Sequence, residues 1–199
     1  MKILEIGTFP ILALLLIMYI LQGLVPNFTE SLFFIPSNIV SEPWRIVTSM
    51  FLHGGFLHLL LNAWGLFLFG SLVEKRAGEA EFFKIFIIAG IIGSVGYWMA
   101  YAAGIIPNIP ALGASGAIFG IIGAAAVLFP DLVIYVWFFP MRMREAAILF
   151  AVLELYGTMT MTTSGIASAA HLGGLIFGYA YMKWRSQRMV DDYLANYYG

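Results

Sequence analysis

The 199-residue chain contains no cysteine, which excludes disulfides, thiolate metal sites and cysteine nucleophiles together. Charge is scarce as well. Asp, Glu, Lys and Arg make up 11% of the residues, against about 25% in a soluble domain. That is too little to cover a water-facing surface. The 10 basic and 11 acidic residues form no basic stripe, which argues against nucleic acid as a partner. Only three histidines occur, His53, His58 and His171, so acid–base chemistry draws on a short list. What fills the chain is apolar. Hydrophobic residues reach 61% and mean hydropathy is +0.90, well above the roughly 45–50% apolar content of soluble domains. This composition describes an integral membrane protein, read as one domain over 1–199.

A helix needs about 20 apolar residues to cross a hydrocarbon core of roughly 30 Å. Six segments are read as spans: Pro10 to Val25, Phe56 to Val73, Glu81 to Ala103, Ala114 to Phe129, Glu145 to Met161, and Ile166 to Trp184. The first is taken as a true span and not a signal peptide, because Glu5 precedes it and no small-x-small cleavage site lies near Val25. With the N-terminus inside, Lys2, Lys75, Arg76, Lys84, Arg142, Arg144, Lys183, Arg185 and Arg188 fall on the cytoplasmic side, and only Arg45 falls outside. Such a bias sets orientation. The expected fold is therefore an all-α, six-helix transmembrane bundle with both termini cytoplasmic. Spans two, four and six then start at the outer face. The first loop, Pro26 to Gly55, is rich in apolar residues and is expected to rest partly in the interface. Gly157 to Gly165 is expected to be a flexible outer loop.

Polar groups inside a span are costly and are functional candidates by default. His58, Asn62, Ser115, Glu154 and His171 are such groups. Four of them, His58, Asn62, Ser115 and His171, lie one or two turns from the start of an outside-to-inside helix. At 1.5 Å per residue, all four sit within roughly 10 Å of the outer end.

Ser115 lies in Gly113-Ala114-Ser115-Gly116. One reading is close packing, since Gly116 and Gly120 form a GxxxG pair. The other is a nucleophile at a helix start, where free N–H groups and the helix dipole stabilise an oxyanion. His171 is either a hydrogen-bonded packing residue or the base for that serine. Gly174 and Gly178 form a second GxxxG pair, so span six can approach span four closely, which is how a nucleophile and its base meet. Phe119, one turn below Ser115, offers a surface for the imidazole. His58 and Asn62, at i and i+4, share one helix face. They either hold two spans together or donate to a developing negative charge.

No carboxylate stands out as a partner for His171. Asp131 is at the cytoplasmic end of span four, and Glu154 is read as mid-membrane with a protonated or hydrogen-bonded packing role. A Ser–His dyad is therefore expected. An aspartyl site lacks its second carboxylate, a zincin lacks its His-Glu-x-x-His pattern, and no P-loop is present.

These pieces together resemble the rhomboid intramembrane serine proteases. The resemblance rests on Gly113-Ala114-Ser115-Gly116 opening span four, Ala170-His171-Leu172-Gly173-Gly174 with Gly178 in span six, and His58 with Asn62 in span two. Trp44-Arg45, Phe51-Leu52-His53, and Glu74 with Gly78 add to it, and it covers Trp44 to Gly178 in order. The resemblance implies Ser115 as nucleophile and His171 as general base. It implies an oxyanion hole from His58, Asn62 and the Ser115 N–H. It places Trp44 and Arg45 in a hairpin embedded in the outer leaflet, makes span five a gate for substrate, and matches the minimal six-span prokaryotic form. Phe119 stands where some members carry tyrosine, and either ring can support the histidine. The implied partners are transmembrane protein substrates and membrane lipids, with no cofactor and no metal, in a multi-pass protein of the cell membrane. The alternatives are a non-catalytic relative that binds transmembrane helices and, more remotely, a small transporter. A transporter is disfavoured because the polar groups cluster at one depth.

Overall fold

A computed structural model describes residues 7–136, 138–160 and 167–198. Among the described residues, each of the six apolar segments is mostly helical. Helix α1 spans Thr8–Leu24, and the first loop then folds into two short helices, α2 (Phe28–Leu32) and α3 (Arg45–Thr48), with single 3-10 turns at Pro36–Asn38 and Ser49–Phe51. Next come α4 (Phe56–Gly65) and α5 (Ser71–Ala77), joined through a π-helical turn at Leu66–Gly70 into one continuous rod. Helix α6 spans Glu79–Ala102 and α7 Ser115–Leu128. A hairpin of β1 (Val133–Val136) and β2 (Phe139–Arg142) follows, then α8 (Met143–Thr160) and α9 (Ser168–Tyr198). Among the described residues, Phe56–Ala77 and Glu79–Ala102 are long and apolar enough to cross a membrane by themselves, and Thr8–Leu24 and Ser115–Leu128 are shorter apolar helices.

Local chemistry explains the boundaries. Between α5 and α6 the chain reverses at Gly78, whose φ of +94° suits glycine. The start of α1 is capped from a distance. The Glu74 carboxylate accepts from the backbone N–H groups of Gly7 and Thr8, and from the Thr8 hydroxyl at 2.6 Å, which satisfies free donors at a helix start.

Gly157–Thr160, shared by the fifth expected span and the expected outer loop, belongs to α8, as the span reading has it. The hydroxyls of Thr158 and Thr160 bond back to the carbonyls of Glu154 and Tyr156 at 2.8 and 2.7 Å. Bonding to the carbonyl one turn back satisfies each hydroxyl within the helix, at a small cost in helix stability. The rest of that stretch, up to Gly165, lies outside the described residues.

The core is a triple of α6, α7 and α9. Helix α7 is buried almost all round, from Gly116 through Ala126, as befits a central helix apolar on every face. Its glycines let backbones touch. A Cβ on Gly174 would strike the Gly116 carbonyl, and one on Gly178 the Gly120 carbonyl. On the other side, a Cβ on Gly93 of α6 would stand 2.7 Å from the Ala170 carbonyl of α9. Small residues are the means by which apolar helices pack where lipid offers no hydrophobic drive between them.

Gly178→Ala should therefore lower thermal stability in detergent by roughly 1–3 kcal/mol, the usual cost of overpacking. Gly23→Ala, where a Cβ meets nothing within 4 Å, should leave stability unchanged or raise it by about 0.5–1 kcal/mol through helix propensity. Equal effects from the two substitutions would contradict the packing account.

Candidate active site

Ser115 is the first residue of α7, so its backbone N–H has no acceptor within the helix. The turn that delivers it needs glycine. Gly113 has φ +125°, a left-handed value that side chains disfavour. A Cβ there would also lie 2.8 Å from His58 Nε2 and 3.7 Å from Ser115 Oγ. One small volume is thus flanked by both groups. The Gly113 N–H donates to the Ser49 carbonyl at 2.9 Å, which ties this turn to the first loop.

His171, one turn into α9, reaches Ser115 across the glycine seam. Its Nε2 lies 2.6 Å from Ser115 Oγ. The ring stacks on Phe119, with centroids 4.4 Å apart and planes 7° from parallel. Gly116 and Gly174 sit at this crossing, next to Ala170 and the Gly116 carbonyl respectively.

The other ring nitrogen of His171 overturns the expectation that no carboxylate is within reach. Nδ1 lies 3.0 Å from Glu154 Oε1. Glu154 is hydrogen-bonded, as expected, yet it stands level with the histidine near the same end of the bundle. Helix α8 runs opposite to α9, and Glu154 is only six residues from Thr160, where α8 ends in the described structure. At 1.5 Å per residue that is about 9 Å, close to the depth of the other polar groups.

His58 and Asn62 lie on α4. The Gly54 N–H donates to His58 Nδ1 at 3.3 Å. A neutral imidazole accepting at Nδ1 carries its proton on Nε2, the nitrogen that flanks Gly113. Asn62 is buried and donates one amide hydrogen to the His58 carbonyl at 3.0 Å; an amide has a second to offer. Beside Ser115 lies a cavity of about 30 Å³, lined also by Ser49, Met50, Tyr97, Gly113 and Ala170, enough for one or two water molecules.

Trp44 and Arg45 part ways. Trp44 is half exposed, whereas Arg45 is buried and organises the loop. Its guanidinium donates to the carbonyls of Glu30 and Phe33 at 2.8 and 2.9 Å and to both oxygens of Glu42. Five rigid donors on one planar group suit it to this knot. Gln22, a residue no motif singles out, clamps the backbone of His53. Its amide donates to the His53 carbonyl at 3.0 Å and accepts the His53 N–H at 2.9 Å.

Residues 40–188 match the family described as the Rhomboid domain. The chain belongs to the rhomboid family. Among its relatives, the Rhomboid protease GluP of Bacillus subtilis (strain 168) is 33% identical over 141 residues, 69% of this chain and 25% of the relative. Rhomboid protein 1, mitochondrial, of Saccharomyces cerevisiae is 31% identical over 167 residues, 83% of this chain and 48% of the relative. Inactive RHOMBOID-like protein 8 of Arabidopsis thaliana is 37% identical over 83 residues, 42% of this chain and 22% of the relative. The chain spans less than half the length of each of these relatives.

Within this rhomboid site His53 is almost wholly buried, edge-on to His58 with centroids 5.1 Å apart. Among the described residues neither of its ring nitrogens has a hydrogen-bond partner. Burial, and then the neighbouring His58, push its pKa down from 6.5 to about 4. Below pH 6.5 the unfolded chain takes up a proton that the folded chain refuses. Stability should therefore fall as pH drops from 6.5 toward 4, by up to about 1.4 kcal/mol per pH unit from this residue. Unfolding measured in detergent across that range should show a shallower acid loss for His53→Leu than for the wild type. Identical slopes would remove His53 as the cause.

Proposed function

We propose that this chain is an intramembrane serine endopeptidase that cleaves transmembrane segments of other proteins near the outer face of the membrane. The observation that carries the reading is the 2.6 Å approach of Ser115 Oγ to His171 Nε2 at the unpaired start of α7. GluP carries protease in its name, which supports it. The family's membrane setting and the helical apolar segments support six spans with both termini inside, in the cell membrane.

In this reading Ser115 Oγ attacks the scissile carbonyl carbon while its proton passes to His171 Nε2. Peptide carbonyl electrons move onto oxygen, and the resulting oxyanion is met by the Ser115 N–H, the His58 Nε2–H and the free amide hydrogen of Asn62. Collapse of the tetrahedral species expels the amine, which takes the proton from His171, and leaves an acyl-serine. Water then repeats the cycle, with His171 again as base, and releases the acid. The substrate must arrive unwound, because helical backbone groups are already bonded to each other. Segments with small or helix-weakening residues near the outer end are therefore the preferred class.

The test is cleavage of a model single-span substrate by the purified protein in liposomes. Ser115→Ala and His171→Ala should each lower cleavage by about 10⁶-fold, as removal of either member of such a unit does. Fluorophosphonate labelling of Ser115 should vanish with His171→Ala. Asn62→Ala should keep labelling while kcat drops about 10²–10³-fold, the cost of one oxyanion donor. A wild type that neither cleaves nor labels would instead favour a non-catalytic rhomboid that binds transmembrane helices.

A further inference from the structure

The chemistry of the pair Ser115 and His171 requires one tautomer. His171 Nε2 must hold a lone pair to accept the serine proton, so the ring proton must sit on Nδ1. The stacking on Phe119 fixes the plane of the ring, but a face-to-face contact does not say which nitrogen is protonated. Something facing Nδ1 has to decide it.

Glu154 faces Nδ1. Its Oε1 is 3.0 Å away, and the two side chains are only 15% and 10% exposed, so water competes weakly for the bond. An ionised carboxylate accepts and cannot donate. It therefore forces the proton onto Nδ1. The same negative charge lies beside the imidazolium that forms when Ser115 gives up its proton. The opposite arrangement is chemically distinct. A protonated Glu154 donating to Nδ1 would place the ring proton on Nε2, and His171 would be unable to take a proton from Ser115. Ionisable groups inside membrane helices persist where they are paired and used.

We propose that Glu154 is a positioning residue for His171, holding the imidazole in the Nδ1–H tautomer so that Nε2 accepts the Ser115 proton. The role assigned rests on the protease reading above, while the tautomer is a property of the resting protein.

The experiment uses the full chain in detergent micelles, labelled with 15N at histidine, with the His171 ring signals assigned by their loss in His171→Ala. At neutral pH the wild type should show His171 with a protonated Nδ1 and an unprotonated Nε2. Glu154→Leu should give a mixture of tautomers and a kcat lower by at least about tenfold, toward the 10⁴-fold limit seen when a triad carboxylate becomes its amide. KM should stay within about twofold. Glu154→Asp should recover part of the lost kcat and of the tautomer bias. Thermal unfolding of each variant tells loss of fold from loss of positioning. An Nε2–H tautomer in the wild type overturns the proposal without any variant. So does a folded Glu154→Leu protein with wild-type kcat and unchanged ring signals. If the wild type cleaves nothing while His171 still shows the Glu154-dependent Nδ1–H tautomer, the protease reading fails and the positioning stands.

Discussion

Gly174 of α9 faces the carbonyl of Gly116 and Gly178 the carbonyl of Gly120, with no room at either place for a side chain. That backbone contact between α7 and α9 sets the distance between Ser115 and His171. A hydroxyl on the first residue of one helix and an imidazole one turn into the other meet at 2.6 Å only because the two axes lie this close. Dispersion and close fit are what hold helices together in hydrocarbon, so the contact that stabilises the bundle also brings Ser115 and His171 together. Helix α6 joins from the other side, where Gly93 lies against the Ala170 carbonyl directly before His171. The histidine is thus seated from two directions by main chain, which cannot change rotamer.

The opposite wall of the site comes from the first loop, and it is held by polar bonds in place of glycine contacts. Arg45 gathers the carbonyls of Glu30 and Phe33. Phe34 pairs through its backbone with Ala111, in both directions, just ahead of the Gly113 turn. Ser49 accepts from the Gly113 N–H, and Gln22 fixes the His53 backbone. These bonds run from α1 through the loop to the turn before Ser115. They set where Gly54 offers its N–H to His58, and hence which nitrogen of His58 carries the proton.

The sequence makes the meeting of Ser115 and His171 readable because helices expected to start at one face can be measured from their first residue. Ser115, His171, His58 and Asn62 are all counted that way, and their common depth is visible before any coordinates. Glu154 lies on a helix of the opposite direction. Its depth has to be counted back from the end of α8, and the unusual Thr and Ser content beyond Gly157 disguises that end as loop. Arg45 as a buried knot, and Gln22 as a clamp, have no periodic signature, because their partners are main-chain groups far away in sequence. The β1–β2 hairpin is similarly silent, being four residues a side with no alternation strong enough to stand out against its apolar surroundings. Span limits, by contrast, follow composition, and the helices keep to them within a few residues apart from α9, which runs on to Tyr198.

Helix α8 shows how the polar interior and the apolar exterior constrain each other. Met143, Ala146, Ala147 and Gly157 are buried, whereas Ile148, Val152, Leu155 and Met159 are exposed. One face is therefore small and inward, the other large and suited to lipid. Glu154 lies on this helix yet bonds across to α9. A carboxylate carried away from that partner into hydrocarbon costs up to about 2.5–3.5 kcal/mol on insertion scales. That cost opposes any outward displacement of α8. The bond to His171 thus fastens this largely exposed helix to the bundle, and in the proposed role the histidine is fully oriented only while α8 is in place.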